Sequence, residues 1–258
     1  MPAVALTLVI VFAGAVYLRG WFQYSSIPEW RAGSFFVGLL ATWIAVASPL
    51  ASLDSHMLTA HMIQHLLLMS IAPPLIWLGE PLTAAGLTGS PFPDSLGQLL
   101  GRILGHPAFC WLASAAALVA WHVPAIFQLG MQSPTWHLIE HASFLTAGLL
   151  FWWPVIQPWP SVARWPRWSM LLYLFLATLP CDVLSGFLVF SDRVAYPMYL
   201  SPMPGMGLRM GGLSPLEDQQ CAAALMWTCV TVVFLVAGTI LSVEMLSPKP
   251  GLQEAVSV

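Results

Sequence analysis

The sequence predicts an all-α fold, a polytopic membrane protein whose seven transmembrane helices form one bundle and one domain over residues 1–258. First, the chain of 258 residues is 58% hydrophobic and only 7% charged, whereas about 25% of the residues of soluble domains are charged. Second, the apolar residues gather into runs of about 20 residues, the length that a helix needs to cross a bilayer. Third, no linker between these runs is long enough to divide the chain into domains.

Seven such runs follow one another along the chain. Their approximate limits are 2–18, 33–50, 57–78, 108–128, 137–156, 168–190 and 219–246. The first run could be mistaken for a signal peptide, but Arg19 follows it and no basic segment precedes it. We therefore expect it to span the membrane.

Basic residues outside the runs predict the orientation of the bundle, because cytoplasmic links carry an excess of Arg and Lys. The segments after the odd-numbered runs hold six such residues, and those after the even-numbered runs hold two. The amino terminus is therefore expected outside and the carboxyl terminus in the cytoplasm. The net charge of −3 argues against nucleic acid as a partner, so the lipid bilayer is the first partner to expect.

This orientation puts six of the seven histidines in the outer half of the membrane. They lie at the start of the third run, the end of the fourth and the start of the fifth: His56, His61, His65, His122, His137 and His141. An ionisable side chain inside a span usually faces the bundle interior and serves a function. Because imidazole binds copper and zinc well, the clustering predicts a metal or cofactor site.

Spacing strengthens this prediction for two pairs of histidines. His61 and His65 are four residues apart, as are His137 and His141, so each pair lies on one face of a helix. Two imidazoles in this arrangement are a common way for a helix to offer two metal ligands. The simpler alternative is that each histidine only makes a hydrogen bond across the bundle.

Two acidic residues are candidates to support the imidazoles. Asp182 lies well inside the sixth run, where a charged side chain is costly and needs a partner. Glu140 lies between His137 and His141. Both acids are expected to accept a proton from a metal-bound imidazole, although Asp182 would also fit a structural hydrogen bond to a neighbouring helix.

The link after the sixth run concentrates methionine among prolines and glycines. Thioethers prefer Cu(I), so this loop is expected either to add copper ligands or to cover the outer mouth of the bundle. Further along, Met226 and Cys229 offer additional soft ligands, for which packing is the simpler explanation. The four methionines of the loop are Met198, Met203, Met206 and Met210.

Two segments carry signals for the ends of helices. Pro124 has no amide hydrogen and is expected to bend or end the fourth helix. Ser214, Pro215 and Glu217 have the residue types of a capping box with proline at the first helical position. Helix initiation therefore accounts for Glu217 and for the neighbouring Asp218 without a metal.

Several segments resemble the multi-pass, CtaG-type cytochrome c oxidase assembly factors. The matching motifs are HMIQHLLLM at 61–69 with APP at 72–74, WHVPA at 121–125, HLIEH at 137–141 with FWWP at 151–154, and LEDQQ at 216–220. Their order and spacing agree with the family over about residues 33–246. The resemblance implies a bacterial inner-membrane protein, not an enzyme, that helps to mature a haem-copper oxidase by handling copper.

The resemblance also implies partners and site residues. Cytochrome c oxidase subunits would be the main protein partners, and a periplasmic copper chaperone would be a further one. His56 and the methionine-rich loop are predicted from this sequence alone. The histidines that match those of the family are His61, His65, His122, His137 and His141.

The residues and the resemblance together predict an outward-facing Cu(I) site. Histidines of the third, fourth and fifth runs would bind the ion, and the methionine-rich loop would admit or release it. Two other functions stay open on the sequence alone. Facing histidines could bind haem b in an electron carrier, or three histidines could hold the zinc of an intramembrane hydrolase in which Asp182 or Asp54 assists the bound water.

Overall fold

The computed structural model of the protein describes residues 2–23, 27–86, 105–158, 165–200 and 212–247. Regular structure within these ranges is helical, without a strand, so the all-α prediction is confirmed. A π-helical segment, Leu67–Ile71, joins α3 to α4, and 3₁₀ segments lie at Pro49–Ser52 and Pro197–Leu200. The α-helices are α1 (Pro2–Gln23), α2 (Glu29–Ala47), α3 (Leu58–Leu66), α4 (Ala72–Leu78), α5 (Pro81–Ala84), α6 (Pro107–His122), α7 (Pro124–Gln132), α8 (Pro134–Ile156), α9 (Arg167–Val189) and α10 (Pro215–Leu246).

Six helical stretches of the described residues are long and apolar enough to cross a membrane. One of them, Leu58–Leu78, is formed by α3, the π segment and α4 together. The pair α6 and α7 meets the same criterion as a unit. The prediction of a multi-pass membrane protein is thus confirmed, with six spans, or seven if the pair is one span.

The spans that carry most of the histidines lie at the centre of the bundle. Half of the apolar window is buried in Leu58–Leu78 and in α8, compared with 17% in α1 and 22% in α10. Phe12, Phe187 and Leu235, on the peripheral helices α1, α9 and α10, are largely exposed. Apolar side chains on that surface suit contact with lipid, whose tails are as apolar as leucine.

The fourth span is broken at the position where Pro124 was expected to interrupt it. α6 ends at His122, α7 begins at Pro124, and the two helices are bent by 78°. Proline also disfavours the helical conformation in the residue before it, and Val123 is accordingly extended, with φ −66° and ψ 124°. The predicted run 108–128 is therefore not one straight helix. The break leaves His122 as the last residue of α6.

The third span is irregular just after its histidines. The π turn Leu67–Ile71 is a type of local widening that is frequently found at functional sites. Pro73 has no amide hydrogen to offer the carbonyl of Met69, four residues before it. Trp152 of α8 donates its indole N–H to this carbonyl instead, at 3.2 Å.

α8 packs directly against the π segment because it has a glycine at the contact. A Cβ on Gly148 would lie 2.7 Å from the carbonyl oxygen of Met69 and 2.7 Å from Cγ of Pro73. Real Cβ atoms essentially never approach other atoms so closely. The two central spans can therefore lie this close together only with glycine at position 148.

The start of α3 is held by a side chain of α10. The Asp218 carboxylate accepts hydrogen bonds from the amides of Leu58 (2.7 Å) and Thr59 (3.2 Å) and from the hydroxyl of Thr59 (2.6 Å). These amides belong to the first turn of a helix, where no partner exists within the helix. The capping box of Ser214 and Glu217 is confirmed, but Asp218 does more than begin its own helix, since it caps one that starts 160 residues earlier.

We predict that Asp218→Ala lowers the free energy of unfolding by about 1–2 kcal/mol, the usual cost of removing a helix cap. Asp218→Asn should lose clearly less, because the amide oxygen can still accept from the first turn of α3. Thermal unfolding of the two purified variants in detergent measures the difference. Equal losses in both variants would contradict the capping role.

The two ends of the bundle differ in their side chains. At one end, α3 and α8 begin and α6 stops, and this end carries most of the described histidines; we call it the histidine face. At the opposite end Arg31 forms an ion pair with Glu80, and Arg167 forms one with Glu244. We call this end the arginine face.

Candidate metal centre

Five imidazoles from three helices gather below the histidine face. The rings of His61 and His65 on α3 have centroids 4.2 Å apart, as do those of His137 and His141 on α8. Centroid distances of 5.7 Å between His61 and His137 and of 6.1 Å between His65 and His141 join the two helices. His122, at the break after α6, lies 6.2 Å from His65. We call these five side chains the imidazole cluster.

A carboxylate lies in the middle of this cluster. Glu140 is completely buried, and its Oε1 atom is 3.3 Å from Nε2 of His61 and 3.3 Å from Nε2 of His65. One donor atom from each of these three residues lies within 4.8 Å of the other two, an arrangement that could hold a metal ion. Sequence reasoning gave Glu140 a supporting role, whereas this geometry also makes it a candidate ligand.

Space for the carboxylate comes from the helix that follows the break. A Cβ on Gly130 of α7 would lie 2.8 Å from Oε2 of Glu140 and 3.3 Å from the ring of Trp121. The bend at Pro124 brings this glycine over the cluster. The break in the fourth span therefore both ends α6 at His122 and leaves room for Glu140.

The donor atoms of the cluster are buried, and none of them makes a hydrogen bond of good geometry. Nε2 of His61, His65 and His137 lies 3.3–3.4 Å from a carboxylate oxygen, whereas Nε2 of His122 and Nε2 of His141 have no partner. A buried polar group without a partner costs about 1–3 kcal/mol, and native structures contain few of them. So many unpartnered atoms at one place fit a group that binds between them, such as a metal ion.

The orientation of His122 favours the same interpretation. Its Nδ1 atom lies 2.7 Å from the carbonyl oxygen of Leu118 and donates to it. The proton is then on Nδ1, and Nε2 keeps the lone pair that a metal needs. The hydroxyl of Tyr196 donates to the carbonyl of His122 at 3.1 Å, which fixes the end of α6.

One side of the cluster is open to solvent. The side chain of His137 is 22% exposed, whereas those of His61 and Glu140 are fully buried. Nε2 of His137 lies 3.4 Å from Oδ2 of Asp54, an oxygen that also accepts from the side-chain amide of Gln64 at 3.3 Å. An ion that enters from the histidine face would meet His137 and Asp54 first.

A tyrosine from the link before α10 fixes this entrance. The Tyr199 hydroxyl donates to the backbone carbonyl of Asp54 at 2.8 Å. Burial, and after it the Asp54 carboxylate, raise the pKa of Tyr199 well above its usual range. The hydroxyl therefore stays protonated and can act as the donor.

Of the remaining predicted site residues, those that the structure describes have no ring contact or ion pair with the cluster. His56 is exposed in the turn before α3. Asp182 is half-buried in α9, and none of the side-chain hydrogen bonds or ion pairs of the described segments joins it to an imidazole. Met198 packs against an apolar cluster that includes Phe127 and Tyr196. Met203, Met206 and Met210 lie outside the residues that the structure describes.

The sequence alone did not predict that Gln64 or Gly130 lies near the imidazoles. It pointed to Asp54 only as an acid that would assist the bound water of a zinc hydrolase. Gln64 lies within the HMIQH motif, but its complete burial is visible only in the structure. Asp54 precedes α3 by four residues, so its proximity to the cluster depends on the turn between them. Gly130 contacts Glu140 only because the chain bends at Pro124.

Comparison with known proteins adds a family and two relatives. A family model described as cytochrome c oxidase caa3 assembly factor (Caa3_CtaG) matches residues 2–248. The uncharacterized protein Mb0105 of Mycobacterium bovis and the uncharacterized protein MT0111 of Mycobacterium tuberculosis are each 24% identical to this chain over 239 residues. These matches cover 84% of this chain but 35% of each relative, so the chain spans about a third of their length. No solved structure is significantly similar to it.

The family match extends over nearly the whole chain and confirms the resemblance seen in the motifs. The five histidines of those motifs are the five members of the imidazole cluster. The chain belongs to the family of cytochrome c oxidase caa3 assembly factors.

Proposed function

We propose that this protein binds a copper ion in the imidazole cluster and supplies it to a haem-copper cytochrome c oxidase during assembly. One observation carries the proposal: the donor atoms of His61, His65 and Glu140 lie within 4.8 Å of one another in the buried interior, with three further imidazoles beside them. The family is that of the cytochrome c oxidase caa3 assembly factors. A haem-copper oxidase contains copper, and imidazole binds copper well. The predicted role of the protein is therefore metal delivery and not catalysis.

The donor set supports copper over most other divalent metals. Imidazole suits copper, zinc, iron and nickel, and at a given nitrogen or oxygen site copper binds most tightly of these. Imidazole also binds Cu(I), the form that the sequence predicts. Among the described residues, His61, His65 and Glu140 bring their donor atoms close enough to share an ion, so the proposed ligands at this position are nitrogen and oxygen atoms.

Delivery requires a site that can release its ion. The imidazole cluster and Glu140 offer six side chains, more than the four ligands that a tetrahedral ion takes. An ion can therefore exchange one ligand at a time while it stays coordinated. His137 at the exposed side of the cluster, beside Asp54, is the proposed point of entry and exit.

Charge supports an orientation with the histidine face outside. Arg31 and Arg167 lie at the arginine face, and the end of a bundle that is richer in arginine usually lies in the cytoplasm. In a bacterial inner membrane, the imidazole cluster would then open toward the periplasm. This side is accessible to a periplasmic copper chaperone and to the copper centres of an oxidase.

A second candidate function is favoured by one specific feature. His61, His65 and Glu140 are two histidines and a glutamate, the ligand set of several catalytic zinc sites. An intramembrane zinc hydrolase would use the same residues and would need a base beside the bound water. Asp182, named for that task from the sequence, has no contact with the imidazoles among the described hydrogen bonds and ion pairs. Asp54 is the acid that does approach them.

Haem b is less well supported by the same geometry. A haem between two histidines needs a flat space as wide as the macrocycle. In the cluster the imidazoles pack against one another at 4.2–6.2 Å between centroids, and Glu140 fills their centre. The arrangement suits a bare ion better.

Metal analysis of the purified protein tests the proposal. We expect copper to copurify or to bind on addition, and we expect no Soret band. In cells that lack the protein, the oxidase should assemble with less copper, and added copper salts should restore part of it. Zinc as the only bound metal, or an oxidase with its full copper content in such cells, would contradict the proposal.

A further inference from the structure

A cavity lies next to the imidazole cluster, deeper in the bundle. Its volume is about 60 Å³, which exceeds the space that a single ion or water molecule needs. His65 and His122 form part of its wall, so the cluster and the cavity share two imidazoles. Four sulfur-containing side chains, from three different spans, also line it; we call it the sulfur cavity. They are Met62, Met69, Cys181 and Met226.

Three of these side chains also pack in the core. Met62, Cys181 and Met226 belong to one apolar cluster, and methionine usually serves to fill gaps in a core. Met62 and Met226 are buried, with 2% and 4% exposure, yet the cavity beside them stays open. Because an internal void costs stability, four sulfur-containing side chains in its wall suggest that something binds there.

The wall of the sulfur cavity also contains a nitrogen atom without a partner. His122 is only 5% exposed, and its Nδ1 atom already donates to the Leu118 carbonyl. Its Nε2 atom has no hydrogen bond. The Cys181 sulfur makes one weak hydrogen bond, with the hydroxyl of Ser185 at 3.8 Å, which a metal ion could replace.

Charge and donor type identify the ligand class. Among the described residues that line the sulfur cavity there is no carboxylate, so a divalent ion would remain without a counter-charge in apolar surroundings, which is costly. Thioether and thiol ligands select Cu(I). Glu140, the acid that could balance a divalent ion, belongs to the imidazole cluster instead.

We propose that the sulfur cavity is a second copper position, selective for Cu(I), which adjoins the imidazole cluster through His65 and His122. This inference rests on the proposed function, because it takes the imidazole cluster as the first position. The cluster binds Cu(I), Cu(II) or Zn(II), whereas the cavity binds Cu(I) alone. The protein can then hold a reduced copper ion at a depth that divalent metals do not reach.

The test uses the full chain in detergent under reducing conditions. Wild-type protein should bind about two Cu(I) ions but about one Zn(II) ion, and X-ray absorption at the copper edge should detect both sulfur and nitrogen ligands. Replacing Met62 and Met226 together with leucine keeps their volume but removes two thioethers. This variant should lose one Cu(I) ion and most of the sulfur signal, with Zn(II) binding unchanged.

A matched control separates lost ligands from lost packing. Met170→Leu changes a methionine that is as deeply buried, at 2% exposure, but lies in another apolar cluster; it should bind like the wild type. One Cu(I) ion with only nitrogen and oxygen ligands in the wild type would overturn this inference and leave the proposed function intact. Copper bound through sulfur alone would support the cavity and overturn the imidazole site.

Discussion

Replacing His61 and His141 together with alanine is expected to abolish Cu(II) retention by the purified protein, because the sulfur cavity that we propose for Cu(I) does not take a divalent ion. The two residues lie on different helices, α3 and α8, and flank Glu140 in the imidazole cluster. Changing a group that only supports a metal ligand typically costs 10–100-fold in affinity, so we expect the loss of two ligands to cost at least about 100-fold. Copper content after gel filtration, measured per chain, reports the effect.

His56→Ala is the matched control for this experiment. His56 is a histidine of the same region, but it is exposed in the turn before α3, and its removal should leave the copper content unchanged. Cu(II) should also raise the unfolding temperature of the wild type and of His56→Ala, because a ligand that binds only the folded state stabilises it. The double variant should show no such shift. Full copper content in the double variant would contradict the imidazole site.

Gly148→Ala is expected to destabilise the protein and to weaken copper binding at the same time. The added Cβ would collide with the carbonyl oxygen and Cα of Met69, at 2.7 and 2.9 Å, and backbone atoms cannot move aside as a flexible side chain can. Overpacking of this kind typically costs about 1–3 kcal/mol. Because α8 carries Glu140 and His141, a shift of this helix away from α3 also separates the metal ligands.

Gly186→Ala on α9 provides the comparison. Apart from the adjoining backbone of α9 itself, no atom lies within 4 Å of the Cβ that this change would add, and alanine is a better helix former than glycine. Its unfolding temperature in detergent should be unchanged or slightly higher, and its copper content should equal that of the wild type. If Gly148→Ala and Gly186→Ala had the same unfolding temperature and the same copper content, the close approach of α8 to Met69 at Gly148 would not be needed for stability or for copper binding.

Much of the architecture could be predicted because it follows from local patterns. The length of the apolar runs gives the helices, and the spacing of His61 and His65 places both rings on one face of α3. The interruption at Pro124 follows from the chemistry of proline. Positions within a single helix are fixed by its regular geometry, which needs no knowledge of the neighbours.

The features that could not be predicted depend on contacts between distant segments. Asp218 caps α3 from another helix, and no periodicity in the sequence links the two. Glu140 is adjacent to His141 in sequence, yet its carboxylate reaches the rings of α3, because α8 lies so close to that helix. The sequence also placed His56 among the ligands; this residue is exposed in the turn before α3, and its role stays a prediction.

The cap on α3 also bears on how the protein is synthesised. A ribosome makes the histidine-bearing part of α3 early and Asp218 late, so a nascent chain that stops before residue 218 lacks the carboxylate that secures Leu58 and Thr59. His61 and His65 then sit on a helix whose first turn is free to fray. Translation must therefore pass residue 218 before α3 is capped, so we expect unfinished chains to hold the proposed metal less tightly than the complete bundle.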